Sequence, residues 1–300
     1  VGPTACGKTK LGVLLAKRYD GEVVSADSMQ IYKGMTIGTA APTAEEMEGV
    51  PHHMIAVADP AEQWSAARYA RAAVPIVDDI LRRGKRPILV GGTGLWLDAV
   101  VQGRTFAGGH AGGAVRRELQ AQLAREGIGP LLEELRQVDP EAAERLHPAD
   151  EKRILRALEV YRETGETITA HNEKTRSLPP RYDAVWIGLR FTDRADLRRL
   201  IDRRVDAMVE TGLVAEVEGL LDRGFREGVT APQAIGYKEI VEALDGFISL
   251  DEAVERIKLA TRRYAKRQRT WFRKDARIRW LDATSRDIPS LVEEALELLD

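Results

Sequence analysis

Val1-Gly2-Pro3-Thr4-Ala5-Cys6-Gly7-Lys8-Thr9 opens the chain, and its spacing decides the fold. Gly2, Gly7, Lys8 and Thr9 fit G-x-x-x-x-G-K-[ST], the pattern of a phosphate loop. In such a loop the glycines let the backbone curl so that successive N–H groups face one anion. The helix that follows adds its positive end, Lys8 a point charge, and Thr9 a hydroxyl suited to Mg²⁺. Leu11, Leu14 and Leu15 share one helical face just beyond, and Glu22-Val23-Val24-Ser25 then predicts a strand. The plain alternative is a glycine turn before an ordinary helix. A phosphate loop ordinarily follows a buried strand, and only Val1 precedes this one, so the numbering is expected to begin inside that strand.

Three hundred residues suit one large domain or two smaller ones, and 44% hydrophobic with 31% charged residues is an ordinary globular balance. No apolar run approaches the roughly 20 residues that cross a bilayer, so no membrane partner is expected. The single Cys6 excludes an intramolecular disulfide and a cysteine-built zinc site, and it fits a reducing cytoplasm. A net charge of −2 decides nothing until its distribution is read.

Asp27 lies just past a strand end in the unit after the loop, where open α/β sheets bind ligands; a helix N-cap is the competing reading. Residues 36–60 predict loops around a short helix, and the adjacent His52 and His53 point apart with no partner spaced for zinc. Residues 65–83 predict a helix, and Pro87-Ile88-Leu89-Val90 a fully buried strand. Gly91-Gly92-Thr93-Gly94 stands where a nucleotide hydrolase usually carries a Mg²⁺-binding acid. These glycines leave room for something to approach the backbone, so the first loop is expected to bind a diphosphate without hydrolysing ATP.

Residues 103–113 predict a glycine-rich linker, after which the pattern turns to helices over 115–126, 129–138, 140–146 and 150–164. Strand and helix alternation resumes at Ala184-Val185-Trp186-Ile187-Gly188-Leu189. A long helix capped by Asp193 follows, and its Arg203 or Arg204 is a candidate phosphate clamp. Residues 256–279 hold 11 Lys or Arg and one acid, interleaved with Tyr264, Trp271 and Phe272. Basic residues with aromatics on a helix suit nucleic acid; a basic helix packed on an acidic neighbour, with its aromatics in the core, is the alternative. The fold expected is α/β, a P-loop NTPase-like parallel sheet flanked by helices, formed by residues 1–103 and 181–300. An all-helical subdomain of residues 104–180 is inserted in it.

Several blocks then fall into one order: the first loop, Asp27-Ser28-Met29-Gln30-Ile31-Tyr32, Ile37-Gly38-Thr39-Ala40, Gly91-Gly92-Thr93-Gly94-Leu95, Arg156-Ala157-Leu158-Glu159-Val160, Gln233-Ala234-Ile235-Gly236-Tyr237 and Lys266-Arg267-Gln268-Arg269-Thr270-Trp271-Phe272-Arg273. Together they resemble the bacterial-type tRNA dimethylallyltransferase (tRNA isopentenyltransferase) family over nearly the whole chain. The resemblance implies transfer of a dimethylallyl group from dimethylallyl diphosphate to N6 of the adenosine at tRNA position 37, with Mg²⁺ as cofactor. It implies that Asp27 is the general base, that Thr9 serves Mg²⁺, and that Gly2, Thr4, Ala5, Cys6, Gly7, Lys8, Thr9 and Arg204 hold the diphosphate. Lys8 and Arg204 join Asp27 and Thr9 as catalytic candidates. Implied tRNA contacts are Asp27, Ser28, Met29, Gln30, Thr93, Lys152, Arg153, Arg156, Gln233, Tyr237, Lys266 and Arg269, with the helical insert gripping the anticodon stem-loop. A monomer is the working expectation. Trp96 departs from the tyrosine frequent in that family. Adenylate isopentenyltransferase, a small-molecule P-loop kinase and a non-catalytic RNA-binding protein remain the competing readings.

Overall fold

Helix α1 (Lys8–Arg18) grows straight out of the glycine loop and leads to β1 (Gly21–Ser25), α2 (Ala44–Met47), β2 (His52–His53), α3 (Ala66–Arg82), β3 (Arg86–Val90) and α4 (Gly94–Val101). The computed structural model describes residues 1–108 and 113–299; residues 109–112 of the expected linker and Asp300 of the expected last helix lie outside the described residues. Next come α5 (Ala114–Glu126), α6 (Ile128–Val138), α7 (Pro140–Arg145), α8 (Glu151–Thr164) and α9 (Ile168–Arg176). The chain continues through β4 (Trp186–Arg190), α10 (Arg194–Glu210), α11 (Leu213–Leu221), α12 (Tyr237–Leu244), α13 (Leu250–Phe272), β5 (Ile278–Asp282) and α14 (Ile288–Glu297). Two compact units result, one of Val1–Val100 with Asp183–Asp300 and one of Val101–Tyr182.

The first unit is α/β, with parallel strands throughout its named sheets. β1 is central in the order β2-β1-β3, with Val23 opposite His52 and Ile88, and β4 pairs with β5. β1 is buried along its length, as its Val-Val centre requires. β3 is only half-buried, not fully buried as its apolar run predicts, because it is the outer strand of its sheet. Val1 donates its N–H to Ile187 O at 2.7 Å and accepts from Leu189 N at 2.9 Å, the pairing of a parallel bridge opposite Gly188. Leu11, Leu15, Leu189, Ile201, Leu281 and Leu291 close a core under the loop, which fixes the start of α1 against β4, α10 and α14.

Local chemistry sets the element ends. Ser65 caps α3 by accepting from Arg68 N at 3.2 Å, and Asp193 caps α10 by accepting from Ala195 N at 2.7 Å. The His52–His53 pair is a two-residue strand rather than loop. His53 bonds Glu22 at 2.8 Å and His52 bonds the Val50 carbonyl at 2.8 Å. Among the described residues no group of three or more His, Cys, Asp or Glu is placed to hold a metal.

The second unit contains helices alone among its described elements, packed on Leu119, Leu131, Leu135, Ile154 and Leu158. Buried Asp139 caps α7 through Ala142 N at 3.1 Å and accepts the Thr169 hydroxyl at 2.7 Å, which anchors α9. Helix α9 escaped the sequence reading because Ile168 is its one large aliphatic side chain. Among the described residues no helix is long and apolar enough to cross a membrane.

Candidate active site

The loop of residues 2–9 curls through positive φ at Gly2, Ala5 and Gly7. Gly7 stands at φ 88° immediately before α1, a conformation that L side chains resist, so glycine there aims the first turn of the helix at the loop's hollow. Lys8 Nζ donates to Pro3 O at 2.6 Å and lies 3.8 Å from the sulfur of buried Cys6. Arg204 reaches the same loop from α10, its Nη1 standing 3.5 Å from Thr4 Oγ1. Arg204 makes no ion pair among the described residues, and burial pulls its guanidinium below the usual arginine range. A half-buried guanidinium in no ion pair is a cation that can hold an anion at this corner.

Asp27 follows the end of β1, and no helix starts there, so it is not an N-cap. Its Oδ1 accepts from Met29 N at 2.9 Å, closing a turn. Burial raises the Asp27 carboxyl above the ordinary carboxylate range, against the pull of the Met29 and Gln30 N–H groups and the Lys8 charge. A half-desolvated carboxylate of raised basicity is a proton acceptor. The strand end beneath it is fixed by Tyr69, whose hydroxyl donates to Ser25 O at 2.8 Å and whose ring stacks on Trp96 at 4.2 Å. Thr93 Oγ1 accepts from Ser28 N at 3.2 Å, which ties the second glycine loop to the Asp27 turn.

What approaches the 91–94 backbone is the protein itself. A side chain at Gly92 would put Cβ 1.9 Å from Gln268 Nε2, and one at Gly94 would meet the Trp271 indole at 2.0 Å. Tyr264, on the same face of α13, feels the Asp27 charge; burial first, then that charge, pushes its hydroxyl above the usual tyrosine range. Trp271 is 45% exposed, whereas Phe272 is core.

Gln30 is spent inside the fold. Its amide donates to Thr39 O at 3.3 Å and Ala40 O at 3.1 Å, and its oxygen accepts from Ser25 Oγ at 2.9 Å. Tyr237 is fully buried, and its hydroxyl donates to Glu216 Oε1 at 2.6 Å. Glu216 also accepts from the N–H groups of Thr36, Ile37 and Gly38 at 2.9, 2.8 and 3.1 Å. Gln30 and Tyr237 therefore brace the 36–40 loop in this structure, and Gln233, four residues before Tyr237, is exposed.

Basic helix α13 divides in two. Arg256, Lys258 and Arg262 pair with Glu242, Asp206 and Asp202, so its first half is the basic helix on an acidic neighbour. Lys266, Arg269 and Arg273 make no ion pair among the described residues. Burial, then the charges of Arg194 and Arg273, depress Arg269. In the helical unit Lys152 and Arg153 are exposed, Arg153 with Asp150 at 2.9 Å. Arg156 instead holds buried Glu159 at 2.8 Å and Ala107 O at 2.8 Å, strapping the linker to α8. Glu216 was not singled out from sequence, and Gln268 only as one letter of its block; the signal for Gln268 lies in Gly92, which it crowds and which a linear reading cannot pair with it.

The family model for IPP transferase matches residues 30–275. A tRNA dimethylallyltransferase of Caldanaerobacter subterraneus subsp. tengcongensis is 51% identical over 282 residues, 93% of this chain and 89% of the relative. Another, of Halalkalibacterium halodurans, is 47% identical over 98% of this chain and 93% of its own. The crystal structure of the full-length tRNA isopentenylpyrophosphate transferase from Bacillus halodurans is similar at TM-score 0.74 and 45% identity, over 100% of this chain and 93% of that one. A eukaryotic dimethylallyltransferase acting on tRNA is similar at TM-score 0.80 and 31% identity, over 94% of this chain and 72% of that one. On this near-complete likeness in sequence and fold, the chain belongs to the IPP transferase family, alongside enzymes that transfer a prenyl group to tRNA.

Proposed function

We propose that this enzyme transfers the dimethylallyl group of dimethylallyl diphosphate to N6 of the adenosine at tRNA position 37, releasing diphosphate. The observation that carries the reading is half-buried Arg204, in no ion pair, beside a loop of helix-start N–H groups and Lys8, on the same unit as a carboxyl of raised basicity. The finer fold assignment belongs with it: residues 2–9 act as a phosphate loop of the P-loop type. Gly2, Thr4, Ala5, Cys6 and Gly7 supply the backbone of the cradle, while Lys8 and Arg204 supply charge. As the allylic C–O bond breaks, negative charge grows on the departing oxygen, and these groups act where it develops. The N6 lone pair is delocalised into the purine, so the new C–N bond forms as Asp27 takes the N6 proton. One C–O bond breaks, one C–N bond forms, and the proton ends on Asp27.

Mg²⁺ fits as a partner of the Thr9 hydroxyl and the diphosphate oxygens, the sparse protein ligation this ion ordinarily keeps. When bound it would neutralise charge on the leaving group. The adenosine must leave the anticodon loop stack to reach Asp27, a cost of a few kcal/mol that is least in a loop. Ser28, Met29 and Thr93 are the candidate contacts around it. Lys266 and Arg269 with exposed Lys152 and Arg153 are candidate phosphate contacts. Arg156, Gln30 and Tyr237 support the surfaces that meet the RNA, with Gln233 exposed as a further contact. The helical unit as the grip on the stem-loop, a monomeric state and a place in the compartment that holds tRNA complete the reading.

The experiment is Asp27→Asn with a labelled dimethylallyl donor and an anticodon stem-loop. Transfer falls at least a hundredfold while stem-loop affinity holds within about threefold, on the size expected for losing a general base. Full transfer by the folded variant would overturn the general-base assignment.

A further inference from the structure

We propose that Gln268 is a positioning residue that sets the distance between the two reactants by bridging the two glycine loops. The inference rests on the reading that residues 2–9 hold the diphosphate and that Asp27 and Thr93 face the acceptor. Gln268 lies on α13 with 5% of its surface exposed. Its Oε1 accepts from Thr4 N at 2.8 Å and its Nε2 donates to Gly92 O at 3.2 Å. A donor and an acceptor are needed at one planar end, since one partner is an N–H and the other a carbonyl. A carboxylate would face Gly92 O with a lone pair, and an ammonium could not accept from Thr4. Gly92 completes the fit, because a Cβ there would fall 1.9 Å from Nε2.

The amide stands in the middle of a polar thread. On one side Thr4 meets Arg204 at 3.5 Å. On the other, Gly92 leads to Thr93, whose hydroxyl accepts from Ser28 N at 3.2 Å, next to Asp27. Gln268 thus ties the anion corner to the base-bearing turn without touching either reactant. Reacting atoms need an approach near 3–3.5 Å, and a misplacement of about 1 Å costs on the order of a hundredfold in rate. A loosened bridge therefore lowers turnover and leaves each substrate's affinity alone.

The test measures kcat, and separately the dissociation constants for dimethylallyl diphosphate and for the stem-loop, in Gln268→Ala, Gln268→Glu and Gly92→Ala of the full chain. Expected is a ten- to hundredfold loss of kcat per folded enzyme in each, measured below the lowest Tm of the set, with both dissociation constants within about threefold of the parent. The added methyl of Gly92→Ala has room once Gln268 is trimmed, its next neighbour being Gly2 O at 3.5 Å. The double variant should therefore be no slower than the worse single one. Unchanged kcat in Gln268→Ala, losses that multiply in the double variant, or losses confined to Tm and active fraction would overturn the positioning role. Absence of transfer by the parent protein would instead overturn the functional reading beneath it.

Discussion

Replacing Glu216 by alanine removes one carboxylate that holds four donors. The Tyr237 hydroxyl at 2.6 Å is fully buried, and burial and then the Glu216 charge push its pKa above the usual tyrosine range. Left without a partner, that hydroxyl alone costs about 1–3 kcal/mol. The N–H groups of Thr36, Ile37 and Gly38 sit in a partly exposed loop and regain water, so each adds about 0.5–1 kcal/mol. The sum is about 2.5–6 kcal/mol, which at roughly 2–4 °C per kcal/mol lowers Tm by on the order of 10 °C. Tyr237→Phe removes the phenol's bond to Glu216 while leaving the other three donors in place, and should cost about 1–2 kcal/mol. Thermal unfolding followed by circular dichroism reads both, and the transfer assay below the lowered Tm adds a functional measure. Because the 36–40 loop holds the Gln30 amide, Glu216→Ala should also slow transfer more than Tyr237→Phe does. A Tm change under about 2 °C for Glu216→Ala, or a larger change for Tyr237→Phe, would refute the reasoning.

Asp27→Asn should raise Tm at neutral pH. A carboxyl whose folded pKa is raised loses stability as pH climbs above its unfolded value, so the gain should vanish below about pH 4, as Tm against pH will show. Glu22 behaves oppositely. The Arg83 hydrogen bond chiefly, with His53, holds its pKa at about 2, so Glu22→Gln should cost about 2 kcal/mol at neutral pH, a loss that fades as pH falls from about 4.5 to 2. Gly38→Ala puts a Cβ 2.5 Å from the Tyr237 ring and should lower Tm by several degrees, unlike Gly219→Ala, whose Cβ meets no atom within 4 Å. Chelation of Mg²⁺ should abolish transfer while leaving stem-loop binding, read by filter retention, within about threefold.

The glycine curl before α1 and most helices were legible because each rests on local rules: glycine spacing, cap residues and a 3.6-residue apolar period. The helical insert was legible as a change of period after residue 103. Less legible were features made by long-range contact. β3 reads as buried from its own residues, yet its place at a sheet edge leaves it half-open. The charges of α13 read as one run, and only packing against α10 and α12 shows which of them are neutralised. Gly91-Gly92-Thr93-Gly94 told of a close approach, whereas the visitors, Gln268 and Trp271, come from more than 170 residues away. The bonds of Arg156 to Glu159 and to Ala107 O could not be read from its own stretch of sequence.

Transfer of label from dimethylallyl diphosphate to a panel of acceptors tests the central claim most directly. The panel is an anticodon stem-loop with adenosines at tRNA positions 36, 37 and 38, the same stem-loop with guanosine at 37, and free AMP. Label is expected on the first alone, recovered as N6-dimethylallyl adenosine at position 37. Label on free AMP in preference to the stem-loop, or none anywhere from folded protein with Mg²⁺, would contradict it.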